Sequence, residues 1–254
     1  MGRRSAGMRP VPGVPSAWST GASDSGVWSD PGPAPRRLAS GRNGPSRAGR
    51  SDRGNDKGYS LEVEANDILS VAKALGGGVI VVAHSIGATI TLQALRRAGD
   101  LIAGAVLYEP PLPGMASGFG SSKAMLTALD EERYEEALIA FLTDLVRLPA
   151  ADIAAYRASP IWDSRVRLIW TMQRESSALQ ALDQDVARYS IITRPVRLLV
   201  GSRTAPHQAE AVKALATVIP NAAITVLDNQ GHGALLQAPG LVASAISDFI
   251  LQPD

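Results

Sequence analysis

From Leu61 onward the apolar residues recur at two spacings that alternate along the chain. Leu61, Ala65, Ile68, Leu69, Ala72 and Leu75 lie three or four apart, the period that puts them on one stripe of a helix. Ser60 stands at the N-cap position and Gly76-Gly77-Gly78 ends the stretch. Val79-Ile80-Val81-Val82 follows, an unbroken β-branched run of the kind found in a strand covered on both faces. A second helix is predicted from about Ile86 to Ala98, with Gly99 as its stop. Ile102 to Tyr108 and Val196 to Val200 read as strands, Gln208 to Val218 as helix and Ile224 to Leu227 as strand. Leu241, Val242, Ala245, Ile246, Phe249 and Ile250 form the buried stripe of a last helix. Strands separated by helix-length segments imply right-handed βαβ units, hence an α/β fold with a mainly parallel sheet.

Two segments depart from this rhythm. Between Leu112 and about Ile191 the strand pattern gives way to helical stretches, among them Glu131 to Leu148 with Tyr134, Leu138, Phe141, Leu142 and Leu145 inward. This predicts an inserted helical cap over about 112–191. Trp162, Trp170 and Met172 lie within it and either face a substrate pocket or pack the cap helices together. Residues 1–57 are rich in Gly, Ser, Pro, Ala and Arg, with one Leu and no Ile or Phe. So little apolar surface cannot offset the entropy of ordering, so disorder is expected there, and 58–254 is the folded domain.

Composition narrows the chemistry. The formal net charge of +1 across 254 residues gives no overall attraction to nucleic acid or an anionic membrane. No cysteine is present, which removes disulfides, thiolate nucleophiles and cysteine-ligated metals. No apolar run approaches the roughly 20 residues that span a bilayer. The expectation is a soluble, cytoplasmic protein with a small-molecule substrate and neither nucleic acid nor membrane as partner, its oligomeric state open. Without a Gly-rich phosphate loop or metal-ligand spacing, neither a metal nor an organic cofactor is expected.

The segment Val81-Val82-Ala83-His84-Ser85-Ile86-Gly87-Ala88 runs from strand to helix with a serine at the corner. A nucleophile elbow has this form: a strained turn projects the hydroxyl above the sheet, and small residues two before and two after let strand and helix approach. Ala83 and Gly87 meet that need. A serine that only caps a buried helix would look similar. Far downstream, Gly231-His232-Gly233 follows the last strand just ahead of the final helix. His84 and His207 are the other histidines; His84 adjoins the serine as a pocket residue, and His207 reads as a surface residue at a helix start.

With the elbow, the strand end Leu107-Tyr108-Glu109-Pro110-Pro111, the strand and turn Val196 to Pro206 and the closing Gly231-His232-Gly233, the stretch Gly58 to Asp254 resembles the bacterial α/β-hydrolase family. The resemblance implies Ser85 as nucleophile, His232 as general base and the Ile86 N–H as one oxyanion donor. Its usual acid position falls on Thr204, which cannot stabilise an imidazolium as a carboxylate does. Some members carry the acid one strand earlier, here Glu109. Neighbouring strand tips are only about 4.8 Å apart, so a glutamate there can reach the same imidazole. Asp228 is a second candidate, and a pocket-wall residue paired with an arginine is the structural alternative for Glu109.

The resemblance also implies early strands and a second oxyanion donor, for which no candidate stands before Leu61. The likeness begins abruptly near Gly49, and the Arg, Gly, Pro, Ala and Ser bias before it suggests an out-of-frame or mis-started reading of a GC-rich gene, leaving an unpaired sheet edge beside the serine strand. The implied activity is serine-dependent hydrolysis of a small or medium apolar ester, thioester or lactone. Acyl transfer, lyase or cyclisation chemistry and a catalytically impaired binding protein are the alternatives on the same fold.

Overall fold

The computed structural model describes residues 58–114 and 122–251, and the backbone of a strand at 26–29. Strand β1 (Gly26–Ser29) precedes helix α1 (Leu61–Ala74), β2 (Val79–His84), α2 (Ile86–Leu95) and β3 (Ile102–Tyr108). A helical layer follows: α3 (Lys123–Asp130), α4 (Tyr134–Ala140), α5 (Ala150–Arg157), α6 (Trp162–Val166) and α7 (Met172–Gln180). Then come β4 (Val196–Gly201), α8 (Pro206–Val218), β5 (Ala222–Leu227), the short α9 (Ala234–Gln237) and α10 (Pro239–Leu251). The sheet order is β1-β2-β3-β4-β5, with β2 to β5 parallel and β1 antiparallel to β2.

Alternation along the strands sorts the core into two layers. Val79, Val81, Ala83, Ala105, Leu107, Val196, Leu198 and Val200 face α1, α2 and α8. Ile80, Val82, Val106, Tyr108 and Leu199 face α10, where Val242, Ala245 and Ile246 close the other side. Apolar runs without alternation are therefore what a sheet covered on both faces requires. A third cluster, with Met125, Leu138, Leu142, Leu145, Trp162 and Ile169, lies inside the helical layer. Helix α2 is buried from Gly87 to Leu95, so its three polar residues are paired internally. Thr89 Oγ1 donates to the Pro111 carbonyl at 2.6 Å, which ties this helix to the segment following β3.

Several expectations are corrected. Backbone pairing of Gly26–Ser29 with Val79–Val82 covers the edge expected to be unpaired. An edge strand needs only ladder hydrogen bonds on one side, so no apolar run was available to announce it. The remaining expectations for 1–57 lie outside the described residues. The helix expected over Glu131–Leu148 is instead α4 continued by one wider turn at Phe141–Leu145, separated from α3 by a turn in which Glu132 has φ +56°. Tyr134 is exposed there, while Leu138, Leu142 and Leu145 are buried. At the far edge, β5 leaves Ile224 and Val226 exposed, because nothing described pairs beyond it.

One buried charge in the framework has a measurable consequence. Glu64 of α1 is 2% exposed and faces α7, where Glu175 is also buried. Burial, reinforced by the Glu175 charge, pushes the Glu64 carboxyl up to about 7. A carboxyl with a raised folded-state pKa favours the fold below its unfolded value and loses that contribution as pH rises through about 7. Urea unfolding should therefore show stability falling between pH 5 and 8, and Glu64→Gln should flatten the decline by about 2–3 kcal/mol.

Candidate active site

The loops that leave the C-terminal ends of β2, β3, β4 and β5 carry Ser85, Glu109, Thr204 and His232 respectively. In a parallel sheet these ends lie along one edge, the usual place for a ligand crevice in open α/β sheets. Ser85 sits between β2 and α2 with φ +54° and ψ −130°, a conformation that L-residues avoid and that costs about 1–3 kcal/mol. Its N–H donates to the Tyr108 carbonyl at 2.9 Å, fixing the corner to the neighbouring strand tip. Ile86 opens α2, so its N–H belongs to the first turn, whose main-chain donors have no acceptor within the helix.

Glu109 is a second strained residue, with φ +46°, held by its own N–H to the Leu199 carbonyl at 3.1 Å. Its side chain is fully buried, and both oxygens are engaged. Oε1 accepts the Gly201 N–H at 2.8 Å, and Oε2 lies 2.6 Å from His232 Nδ1. Burial works against the carboxylate, but the His232 hydrogen bond and charge, the Gly201 N–H and a Thr204 hydrogen bond outweigh it, holding the Glu109 pKa below its usual value. A buried acid kept ionised beside an imidazole is what orienting and stabilising that ring requires.

The His232 ring is packed from the serine side. Its centroid lies 4.3 Å from that of His84, which in turn lies 4.9 Å from Tyr108. His84 immediately precedes Ser85, so the stack carries the serine corner and the imidazole on the same end of the sheet. The Tyr108 hydroxyl donates to the Gly231 carbonyl and anchors the loop bearing His232. On its other flank, His232 Nδ1 lies 2.9 Å from Gln208 Nε2, and Gln208 Oε1 accepts from Thr204 Oγ1 at 3.0 Å. Gln208 is buried near the start of α8.

Two glycine positions differ in their demands. At Gly201 a Cβ would stand 2.3 Å from the Gln230 carbonyl oxygen and 2.6 Å from its carbon, both main-chain atoms that cannot swing aside. The β4 end and the loop leading to His232 thus approach through a gap only glycine leaves. Gly201→Ala should displace the Gln230–His232 loop, lowering activity at least tenfold and the melting temperature by several degrees, as read by thermal unfolding and activity assay. At Gly87 a Cβ would meet nothing within 4 Å. The expectation that strand–helix approach demands a small residue there is corrected: the close packing falls on Ala83, which is buried, and Gly87→Ala should leave the fold intact.

Sequence comparison then places this geometry. The chain matches the model of the alpha/beta hydrolase family over residues 11–245. It belongs to the alpha/beta hydrolase family. The match begins at residue 11, upstream of Gly49, where the sequence resemblance was expected to set in. An alpha/beta hydrolase from Sphaerobacter thermophilus is similar at 26% identity and TM-score 0.66, over 80% of this chain and 79% of that one. A hydrolase from Oleispira antarctica shares the fold at 18% identity and TM-score 0.62, over 80% and 78%. An enzyme described as degrading N-acyl homoserine lactones shares it at 22% identity and TM-score 0.59, over 79% and 78%. No curated protein matches the sequence.

Within this alpha/beta hydrolase family member, the residues named from sequence fare unequally. Glu109 and His232 are brought into contact and Ser85 is placed at the adjoining strained corner. Asp228 is exposed to solvent. Trp162 is 6% exposed and is used in packing: it meets Tyr156 edge-on at 5.7 Å, and its indole N–H donates to Glu135 Oε1 at 3.0 Å. Of the two readings open from sequence, these contacts fit the one in which Trp162 packs the cap helices together. Trp170 is partly buried, with the Arg174 guanidinium 4.8 Å above its ring. His207 is less superficial than expected: it is half-buried in the first turn of α8, where burial, Arg147 and His232 lower its pKa. Gln208 was missed, although it shares the helical stripe of the buried Ala211, Val212 and Leu215, and a polar residue on an apolar stripe is a signal for a buried partner. Among the described residues no cluster suited to a metal ion is found, and no helix is long and apolar enough to cross a membrane.

Proposed function

We propose that this alpha/beta hydrolase is a cytoplasmic serine hydrolase for a small or medium apolar ester, thioester or lactone, with Ser85 as nucleophile, His232 as general base and Glu109 as the acid that orients it. The observation that carries the reading is the buried Glu109–His232 pair at 2.6 Å, set beside a serine in a strained strand-to-helix corner. Ser85 Oγ attacks the substrate carbonyl carbon while His232 Nε2 takes the hydroxyl proton; the Ile86 N–H donates to the resulting oxyanion. Collapse breaks the carbonyl-to-heteroatom bond, and His232 returns the proton to the departing oxygen or sulfur. Water, deprotonated by His232, then attacks the acyl-serine and releases the acid and the free hydroxyl.

The helices between 112 and 191 would cover this edge and select the acyl group. Ester, thioester and lactone remain one class here, because likeness to the lactone-degrading enzyme extends to the fold alone. The reading is tested by incubating the full chain, with a chelator present, with short p-nitrophenyl esters, an acyl thioester and a γ-lactone, and titrating the acid released. Turnover of at least one class that a fluorophosphonate blocks supports it. A folded protein that turns over none of them, or that turns them over unaffected by the fluorophosphonate, refutes it.

A further inference from the structure

The contacts of His232 Nδ1 contain a conflict that chemistry resolves in one way. An imidazole Nδ1 carries either one hydrogen or one lone pair, and here two groups approach it, Glu109 Oε2 at 2.6 Å and Gln208 Nε2 at 2.9 Å. A carboxylate needs a hydrogen on Nδ1. An amide –NH2 needs a lone pair there, so the two cannot both be satisfied. The two ends of a carboxamide are isosteric, and turning Gln208 by 180° about its last torsion keeps every heavy atom in place. Its oxygen then stands 2.9 Å from Nδ1 as a second acceptor, and its –NH2 stands 3.0 Å from Thr204 Oγ1 as a donor. Thr204, accepting from Gln208, is left with its own hydrogen for Glu109, the pairing that helps keep that carboxylate ionised.

We propose that Gln208 and Thr204 are positioning residues that lock His232 in the Nδ1–H tautomer, with Gln208 turned so that its oxygen faces the ring. The inference rests on the reading of His232 as the base, since only that tautomer leaves Nε2 with a lone pair for a serine proton. It also gives Thr204 a task at the strand end where the family resemblance led one to expect a carboxylate: the hydroxyl supports an acid that has moved to the neighbouring strand. Each of these hydrogen bonds then joins a donor to an acceptor, as a buried network requires.

The test combines nuclear magnetic resonance with kinetics on the full chain. In histidine-15N-labelled wild-type protein, the His232 ring should show a protonated Nδ1, with a slowly exchanging low-field proton, and an unprotonated Nε2. Thr204→Val and Gln208→Met keep the size of the side chain and remove its hydrogen bonding. Each should speed exchange of the low-field proton and lower kcat five- to thirtyfold with KM unchanged within twofold, and Thr204→Ser should restore kcat to within twofold of wild type. An Nε2–H tautomer in the wild type would overturn the proposal. So would a folded Thr204→Val whose ring signals, exchange rate and kcat match the wild type, which decides the matter even if Gln208→Met fails to fold. The resonances are read without turnover, so a protein with no hydrolase activity but an Nδ1–H ring would sink the serine-hydrolase reading and leave the tautomer lock standing.

Discussion

Glu109→Gln should lower kcat by about three to four orders of magnitude while leaving the fold in place. The change keeps the shape and still offers an oxygen to the Gly201 N–H, which donates a 2.8 Å bond to Glu109 Oε1 in the wild type. What it alters is the atom facing His232 Nδ1, where a carboxylate oxygen at 2.6 Å is replaced by an amide that can present its –NH2. The ring then adopts the tautomer with hydrogen on Nε2, which cannot accept a serine proton, and a transient imidazolium loses its buried counter-charge. Steady-state kinetics with KM near the wild-type value would locate the loss in the chemical step. The same variant has a stability signature. Because the Glu109 pKa is held down in the folded state, its contribution is present above the ordinary carboxylate range and disappears as pH falls through the lowered value. Glu109→Gln should remove that acid-side slope from urea unfolding curves, whereas Glu109→Ala, which leaves the Gly201 N–H without its buried acceptor and His232 Nδ1 with Gln208 alone, should unfold more readily at every pH.

Ser85→Ala is expected to have the larger effect, a loss of four to six orders of magnitude in kcat, since it removes the attacking atom itself. Its stability should barely change, because alanine inherits the φ of +54° and the strain stays. Ser85→Gly separates the two contributions. Glycine adopts that backbone without penalty, so the variant should be as inactive as Ser85→Ala but more stable by about 1 kcal/mol in thermal or urea unfolding. A corner strained for function and relieved by losing function is the trade-off expected of a site held in place by the surrounding sheet.

How much of this was legible in the chain depends on the kind of signal. The strands β2, β3 and β4 announced themselves because a strand covered on both faces is apolar at nearly every position, Arg197 of β4 and His84 at the end of β2 being the exceptions. His232 stood out because flanking glycines follow the last apolar run at the start of a helix. Glu109 was reached through the family resemblance, some members carrying the acid one strand earlier, and the short distance between adjacent strand tips made that position feasible once Thr204 was seen to lack a charge. Other features had no local signature. Glu132 turns the chain with a positive φ that sequence normally signals by glycine, so the helix expected from Glu131 starts only at Tyr134. The four residues of β1 contribute ladder hydrogen bonds, which leave no mark in side-chain pattern. Gln208 did carry a signal, a polar side chain on the apolar stripe of α8, but its partner shows only once the fold brings the His232 loop, 24 residues away, against it.

The account stands on Ser85 and His232 working as one unit, and the pH dependence of Ser85 modification addresses that directly. Wild-type protein is treated with a fluorophosphonate across pH 5 to 9, and the adduct is located and timed by mass spectrometry of its peptides. A single adduct on Ser85, formed at a rate that rises with pH in the wild type and slowed at least a thousandfold in His232→Gln, is the expected result. Modification that misses Ser85 in the folded protein, or that proceeds at the same rate without His232, would contradict it.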